Sequence, residues 1–446
     1  MDYKETRMTT PSSPSATHVR YQILAMLFIV TTVNYADRAA LSIAGPAAAK
    51  QLGLGALAIG YVLSAFGWAY VIGQLPGGWL LDRFGSMRVY AISILSWSVV
   101  TFLQGFVGVF HASTAAAALF ALVFLMGLAE SPSFPGNARI VAAWFPTRER
   151  GTAVAVFNSA QYFATVVFAP LSGWIVQAFG WQYVFVVLGS LGVLLGLTWL
   201  ATMRSPGEHP RVSAAEFQHI EQGGGLVHMD KPAGPLVTPG DSTWATLRQL
   251  LSTRTLVGVY VAQYCITTLT YFFLTWMPLY LVMGRGMTTL KAGLGASLPA
   301  LMGFCGGVLG GVFSDTLLKR GCSLTIARKV PIVSGMLLST SMIACNYVDQ
   351  TWAVIAIMCV AFFGKGIGAL GWVVVSDTSP RKAAGLCGGL FNMFGNTAAI
   401  TTPIVIGYLV QKTGSFNLAL LFVAANALTA IVCYLGVVGE IKRVEF

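Results

Sequence analysis

Residues 33–45 read VNYADRAALSIAG, inside an otherwise apolar run of the length that crosses a bilayer. Asp37 and Arg38 are adjacent there, although a carboxylate at the centre of a membrane helix costs about 2.5–3.5 kcal/mol on insertion scales. A second acid, Glu130, lies deep in another such run, while nearly all the other Asp and Glu residues fall in tails, loops or span ends. Acids kept inside a membrane generally face a cavity and carry protons or substrate. Burial favours the neutral carboxyl and a nearby cation favours the carboxylate, so Asp37 and Glu130 are candidates for reversible protonation. The alternative is a static ion pair that locks their helices together. None of His18, His111, His209, His219 and His228 competes for the proton role, because all lie in tails or loops.

Arg38 is permanently charged and its planar fork matches a carboxylate, which makes it a candidate anion anchor. On a helix Asn34 and Arg38 share a face, whereas Asp37 points about 100° away from Arg38. The two neighbours therefore need not neutralise one another. Lys365, in FFGKGIGALGWVVVSD, is the other deep cation. It is a candidate substrate contact, with snorkelling or pairing to a helix end as the alternative. Arg139 lies near the end of its span and reads as structural. Tyr35, Tyr70, Gln161, Trp372 and Asn392 add the polar and aromatic groups that a cavity for a hydroxylated anion needs.

These residues are carried by a chain that is 56% hydrophobic and 10% charged. Soluble domains hold about 25% charged residues, so the chain belongs to another class. Twelve apolar runs reach spanning length, near 21–45, 57–81, 89–110, 114–143, 151–177, 180–202, 255–283, 292–318, 329–347, 350–376, 385–411 and 416–439. Within lipid such runs must satisfy their own backbone groups, which predicts helices. The polar N-terminus has no cleavable signal pattern, so the first span is expected to stay in the mature protein.

A net charge of +11 is compatible with a nucleic-acid partner, but its distribution excludes that reading. With the N-terminus on the cytoplasmic side, 20 of the 27 Lys and Arg residues fall in cytoplasmic segments and four in outer loops. The other three, Arg38, Arg139 and Lys365, lie in spans. The bias predicts that both tails are cytoplasmic. The seven cysteines all lie in the second half without a CxxC pair, so they read as small packing residues, with no metal site and no cofactor.

A polar stretch, 203–254, rich in proline and glycine, separates six spans from six. It reads as a linker with a short surface helix near 213–222. The predicted organisation is a tail at 1–20, a six-helix bundle at 21–202, the linker, a second bundle at 255–439 and a tail at 440–446. The halves repeat each other. GGWLLDRFGSMR at 77–88 matches GGVFSDTLLKRG at 310–321, pairing Gly78 with Gly311 and Asp82 with Asp315 at an offset of 233. Farther along, Gly151, Phe157, Asn158 and Gly173 match Gly385, Phe391, Asn392 and Gly407 at an offset of 234. A parallel repeat of six spans implies two similar bundles whose interface can open to either side.

The loop spacing Gly78-x3-Asp82-Arg83-x-Gly85-x2-Arg88 resembles the signature of the major facilitator superfamily, and the second copy keeps Gly311 and Asp315. That resemblance implies an all-α membrane fold of two six-helix bundles, with these residues gating between them. VNYADRAALSIAG, GLAESPSFPGNARIVAAWFPTRERGTA, FNSAQYFATVVFAP, FFGKGIGALGWVVVSDTSP and the linker stretch RSPGEHPRVSAAEF are similar to bacterial anion:cation symporters for sugar acids. The branch is that of glucarate/galactarate permeases, with galactonate and hexuronate permeases nearby. The resemblance assigns proton coupling to Asp37 and Glu130. It places Tyr35, Arg38, Tyr70, Gln161, Trp372 and Asn392 around the sugar acid, with Lys365 in the family's GKG stretch. One departure stands out: relatives carry an arginine seven residues before the glutamate of span 4, where this chain has Val123.

The expected function is proton-coupled import of an aldarate across the bacterial inner membrane by a monomer embedded in lipid. Symport of galactonate, a hexuronate or another organic anion, organic-anion exchange, and drug/proton antiport are the alternatives within transport. A membrane sugar-acid sensor is the alternative outside it, disfavoured because no soluble segment exceeds the linker. An enzyme is disfavoured because no nucleophile–base set or metal cluster is evident.

Overall fold

The computed structural model describes residues 17–146, 149–228, 243–380 and 384–445. Twelve of its helices are long and apolar enough to cross a membrane. In chain order, spans 1–6 are Val19–Leu52, Ala56–Gln74, Ser86–Val109, Thr114–Trp144, Val156–Ala178 and Gln182–Thr202. Spans 7–12 are Arg254–Gly284, Thr289–Lys319, Leu324–Tyr347, Thr351–Val375, Cys387–Thr413 and Asn417–Val437. Large apolar side chains such as Leu194, Leu197, Val312 and Leu337 are more than half exposed, which hydrocarbon accommodates and water does not.

Spans 4 and 10 are interrupted near their middles. The first segment of span 4 ends on Glu130, and Ser131–Pro132 leads into a second helix, Ser133–Trp144. In span 10 the helix Thr351–Ile367 stops at Gly368 and resumes at Gly371–Thr378. Each interruption leaves an ionisable side chain in the last turn before the break, Glu130 in one half and Lys365 in the other.

The two bundles pack tightly on the side away from the linker. Span 2 meets span 11 there, and span 5 meets span 8. A Cβ at Gly60 would stand 2.6 Å from the Pro403 carbonyl, and one at Gly67 would stand 2.7 Å from the Ala399 carbonyl carbon. The Leu57 amide donates to Gln411 Oε1 at 3.0 Å across the same seam. On the linker side no described residue comes within 4 Å of a Cβ position at the repeat-related Gly78 and Gly311.

The linker helix, Ala214–Gln222, coincides with the stretch expected from sequence, but it is docked rather than free on the surface. Ser213 caps it by accepting from the Glu216 amide. Glu216 is fully buried and accepts from the Val19 and Arg20 amides at 3.0 and 3.1 Å, from Thr17 Oγ1 at 2.6 Å and from Arg20 Nη1 at 3.2 Å. The linker thus satisfies backbone donors at the start of span 1, which the helix itself leaves without acceptors. Glu149, ahead of span 5, joins in by accepting from Arg20 Nε at 3.0 Å and lying 3.1 Å from His219 Nε2. Burial pushes the Glu216 carboxyl up, but its bonds to Thr17, Arg20 and Val19 outweigh burial and hold it below the usual range.

Candidate functional site

Asp37 and Arg38 diverge as helical register requires. Asp37 is 2% exposed, neither carboxyl oxygen has a hydrogen-bond partner among the described residues, and the Trp97 indole of span 3 is a polar group beside it. Such surroundings accommodate a carboxylic acid and penalise a carboxylate. Arg38 turns the other way. Its Nε donates to Glu130 Oε2 at 2.7 Å, joining spans 1 and 4 in a buried ion pair. The guanidinium carbon lies 4.9, 4.5 and 5.0 Å from the ring centroids of Tyr35, Phe66 and Tyr70, an aromatic cage that holds a cation without neutralising it.

The pair is incompletely satisfied. Among the described residues, Arg38 Nη2 and Glu130 Oε1 are buried without partners, as are both amide atoms of Asn34, which faces the same carboxyl. A guanidinium with an unused edge has room for a second acceptor. Val123 lies in the apolar core at 3% exposure, so no cation comes from that position. Arg38 reaches Glu130, while Arg139 donates to Ser86 Oγ at 3.0 Å.

A cavity between the bundles is bordered by Tyr35, whose ring packs on Arg38 of this pair. Tyr35, Gln161, Tyr162, Thr270, Phe362 and Lys365 are among its lining residues, drawn from spans 1, 5, 7 and 10. Tyr70 packs against Arg38 at the back of the site. Asn392 Nδ2 donates to Gln74 Oε1 at 3.3 Å, a direct link between the bundles through spans 11 and 2. Trp372 is placed elsewhere: it is 53% exposed, edge-on to Phe391 with centroids 4.8 Å apart, and does not line the cavity.

Gln74, Tyr162 and Thr270 are cavity or interface groups that sequence reading passed over. Gln74 stands four residues after Tyr70, one turn along the same helix face, which was a usable signal. Thr270 carried none, since a lone threonine in a span normally bonds its own backbone.

The residues of the loop signature and its second copy lie toward the linker-side ends of the helices that form spans 2 and 8. Gly85 takes a positive φ of 84°, which ends the helix and favours glycine. Arg83 and Arg88 are exposed, Arg83 lying over the Trp79 ring at 5.2 Å, and the side chain of Asp82 is outside the described set. In the second half Asp315 is 3.7 Å from Arg328, which also holds Asp377 at 2.9 Å.

The family model described as Major Facilitator Superfamily matches residues 27–328. The chain belongs to the major facilitator superfamily. It is 63% identical over 441 residues to the probable galactarate/D-glucarate transporter GudP of Bacillus subtilis, covering 99% of this chain and 96% of that one. Identity to the probable galactarate/D-glucarate transporter GudP of Escherichia coli K12 is 58%, covering 96% and 95%. A D-galactonate transporter of Escherichia coli O6:H1 is 40% identical, covering 95% and 97%. Among solved structures, a D-xylose-proton symporter superposes with a TM-score of 0.70 at 15% identity, covering 95% and 98%, which shows a shared fold. This facilitator is accordingly a transporter and not an enzyme, and a multi-pass protein of the bacterial inner membrane.

Proposed function

We propose that this facilitator imports a sugar acid, an aldarate such as galactarate or D-glucarate, together with protons by alternating access. What carries the reading is the buried Arg38–Glu130 pair beside the cavity, with Asp37 unpartnered one helix face away. The galactarate/D-glucarate names of its relatives support the substrate class.

Glu130 and a substrate carboxylate compete for one guanidinium. With Glu130 ionised, Arg38 is held by it; when Glu130 takes a proton, Arg38 is free to bind the substrate carboxylate. Substrate and proton therefore load together, and release of one promotes release of the other. Tyr35, Gln161 and Asn392 supply donors and acceptors for hydroxyl groups, and Tyr70 steadies Arg38. Asp37 carries the second proton. Against a negative-inside potential each inward negative charge costs about 2.3 kcal/mol per 100 mV, so a dianion moves unopposed with two protons. Both tails and the linker are cytoplasmic, by the excess of Lys and Arg on that side. The seam at spans 2–11 and 5–8 then closes the outer side, and the residues of the loop signature gate the inner one. One chain supplies both bundles and acts as a monomer in the bilayer.

A monocarboxylate such as galactonate is the second reading, favoured by the D-galactonate relative. Purified protein in liposomes with an imposed pH gradient decides. Galactarate or D-glucarate should accumulate and acidify the lumen; no accumulation of any sugar acid would sink the proposal.

A further inference from the structure

Lys365 is a buried cation that the coupling scheme does not use. Its side chain is 6% exposed, lies mid-way along span 10 in the last turn before the break at Gly368, and lines the inter-bundle cavity. Among the described residues, its ammonium has neither a carboxylate at ion-pair distance nor a hydrogen-bond acceptor; its one charge-related contact is the Phe362 ring, 5.5 Å away. The other buried cations are provided for: Arg38 has Glu130, and Arg20 has Glu216 and Glu149. No equivalent is available to Lys365, because the acids of the second half, Asp315, Asp349, Asp377, Glu440 and Glu445, lie at span ends, in loops or in the tail. The carbonyls ending its helix offset part of the charge, but an unpaired ammonium among apolar groups remains costly.

The internal repeat gives the position further meaning. At the offset of 234, Lys365 corresponds to Ser131, one residue beyond the counterpart of Glu130. The duplicated halves thus bring an acid–base pair to one side of the site and a lone base to the other. The cavity lining adds neutral donors and acceptors, Gln161, Tyr162, Thr165 and Thr270. A molecule with a carboxylate at each end and hydroxyl groups between matches that set of groups.

Resting on the sugar-acid reading above, we infer that Lys365 binds the second carboxylate of a dicarboxylate substrate and so sets the preference for aldarates over aldonates. The substrate then links the bundles, Arg38 of the first at one end and Lys365 of the second at the other. An aldonate, ending in a hydroxymethyl group, leaves the ammonium uncompensated and pulls on one bundle only.

The test compares wild type, Lys365→Gln and Lys365→Arg in proteoliposomes by counterflow, with galactarate and galactonate as the matched pair of one chain length. A charge-assisted contact to a carboxylate gives on the order of tenfold or more in affinity over a neutral one. Wild type should prefer galactarate, Lys365→Gln should lower the galactarate-to-galactonate ratio at least tenfold, and Lys365→Arg should keep most of it. Equal losses for both substrates in Lys365→Gln would mean a packing or helix-end role and overturn the inference, as would an unchanged ratio. If wild type carries neither these nor other sugar acids, the sugar-acid reading itself fails and takes this inference with it. The two failures are therefore distinguishable.

Discussion

Replacing Glu130 with glutamine should separate accumulation from exchange in a quantity that follows from the proton count. In the proposed mechanism the two buried acids, Asp37 and Glu130, carry two coupled protons. With a pH gradient of one unit and no membrane potential, two protons supply about 2.7 kcal/mol, or roughly 100-fold accumulation of a dianion. Glu130→Gln removes one of them, so the limit falls to about 1.4 kcal/mol, roughly tenfold. Each cycle then also moves one net negative charge inward, which 100 mV opposes by about 2.3 kcal/mol. Uptake by the variant should turn from voltage-insensitive to voltage-opposed. Exchange should respond in the opposite sense, because Glu130 Oε2 occupies Arg38 Nε at 2.7 Å and competes with the substrate. Without that competitor the half-saturating substrate concentration in counterflow should fall about tenfold or more and lose most of its pH dependence. Radiolabelled galactarate uptake under valinomycin-clamped potentials, paired with counterflow on the same liposomes, gives both numbers. Roughly 100-fold accumulation retained by Glu130→Gln would refute the coupling role. A folded variant with weaker exchange would refute the competition for Arg38.

Three further outcomes check other parts of the structure. Asp37→Asn should also cut the accumulation limit to about tenfold at one pH unit, yet leave substrate affinity in exchange near wild type, because Asp37 makes no contact with Arg38; a tenfold gain in affinity would contradict the assignment. Glu216→Ala strips the acceptor from two backbone amides, Thr17 and Arg20, and should destabilise the protein by about 3–5 kcal/mol, read as a lower Tm in detergent. Because the folded carboxyl titrates below its ordinary value of 4.5, this stabilisation is intact above about pH 4.5 and is lost as pH falls through the folded value; Glu216→Gln should flatten that acid limb. Gly67→Val places side-chain atoms where a Cβ already stands 2.7 Å from Ala399, so the seam opposite the linker should fail to close. A single cysteine at Leu57 should then label faster with an impermeant maleimide in intact cells, and unchanged labelling would argue against the packing described.

Much of this was legible in the residues. Twelve apolar runs had to be helices because lipid offers the backbone no other partner, and the described residues form twelve helices long and apolar enough to span. The cost of charge in hydrocarbon marked Asp37, Arg38, Glu130 and Lys365 without any coordinates. Helical register alone turned Asp37 away from Arg38, since adjacent residues are about 100° apart. Other features were not legible. A strictly local reading could not pair Arg38 with Glu130, 92 residues away. It offered no reason for Gln74 to meet Asn392, and it treated the linker helix as a surface element although Glu216 caps span 1.

The sequence by itself determined which groups are buried in the membrane and which helix face carries each, because hydropathy and a 3.6-residue turn are properties of the chain read in order. Tertiary structure alone decided which of those groups meet. The Arg38–Glu130 pair, the Gln74–Asn392 bridge and, among the described residues, the lack of a carboxylate beside Lys365 depend on how separate helices rotate and approach, and glycines such as Gly60 and Gly67 set that approach by leaving no room for a side chain.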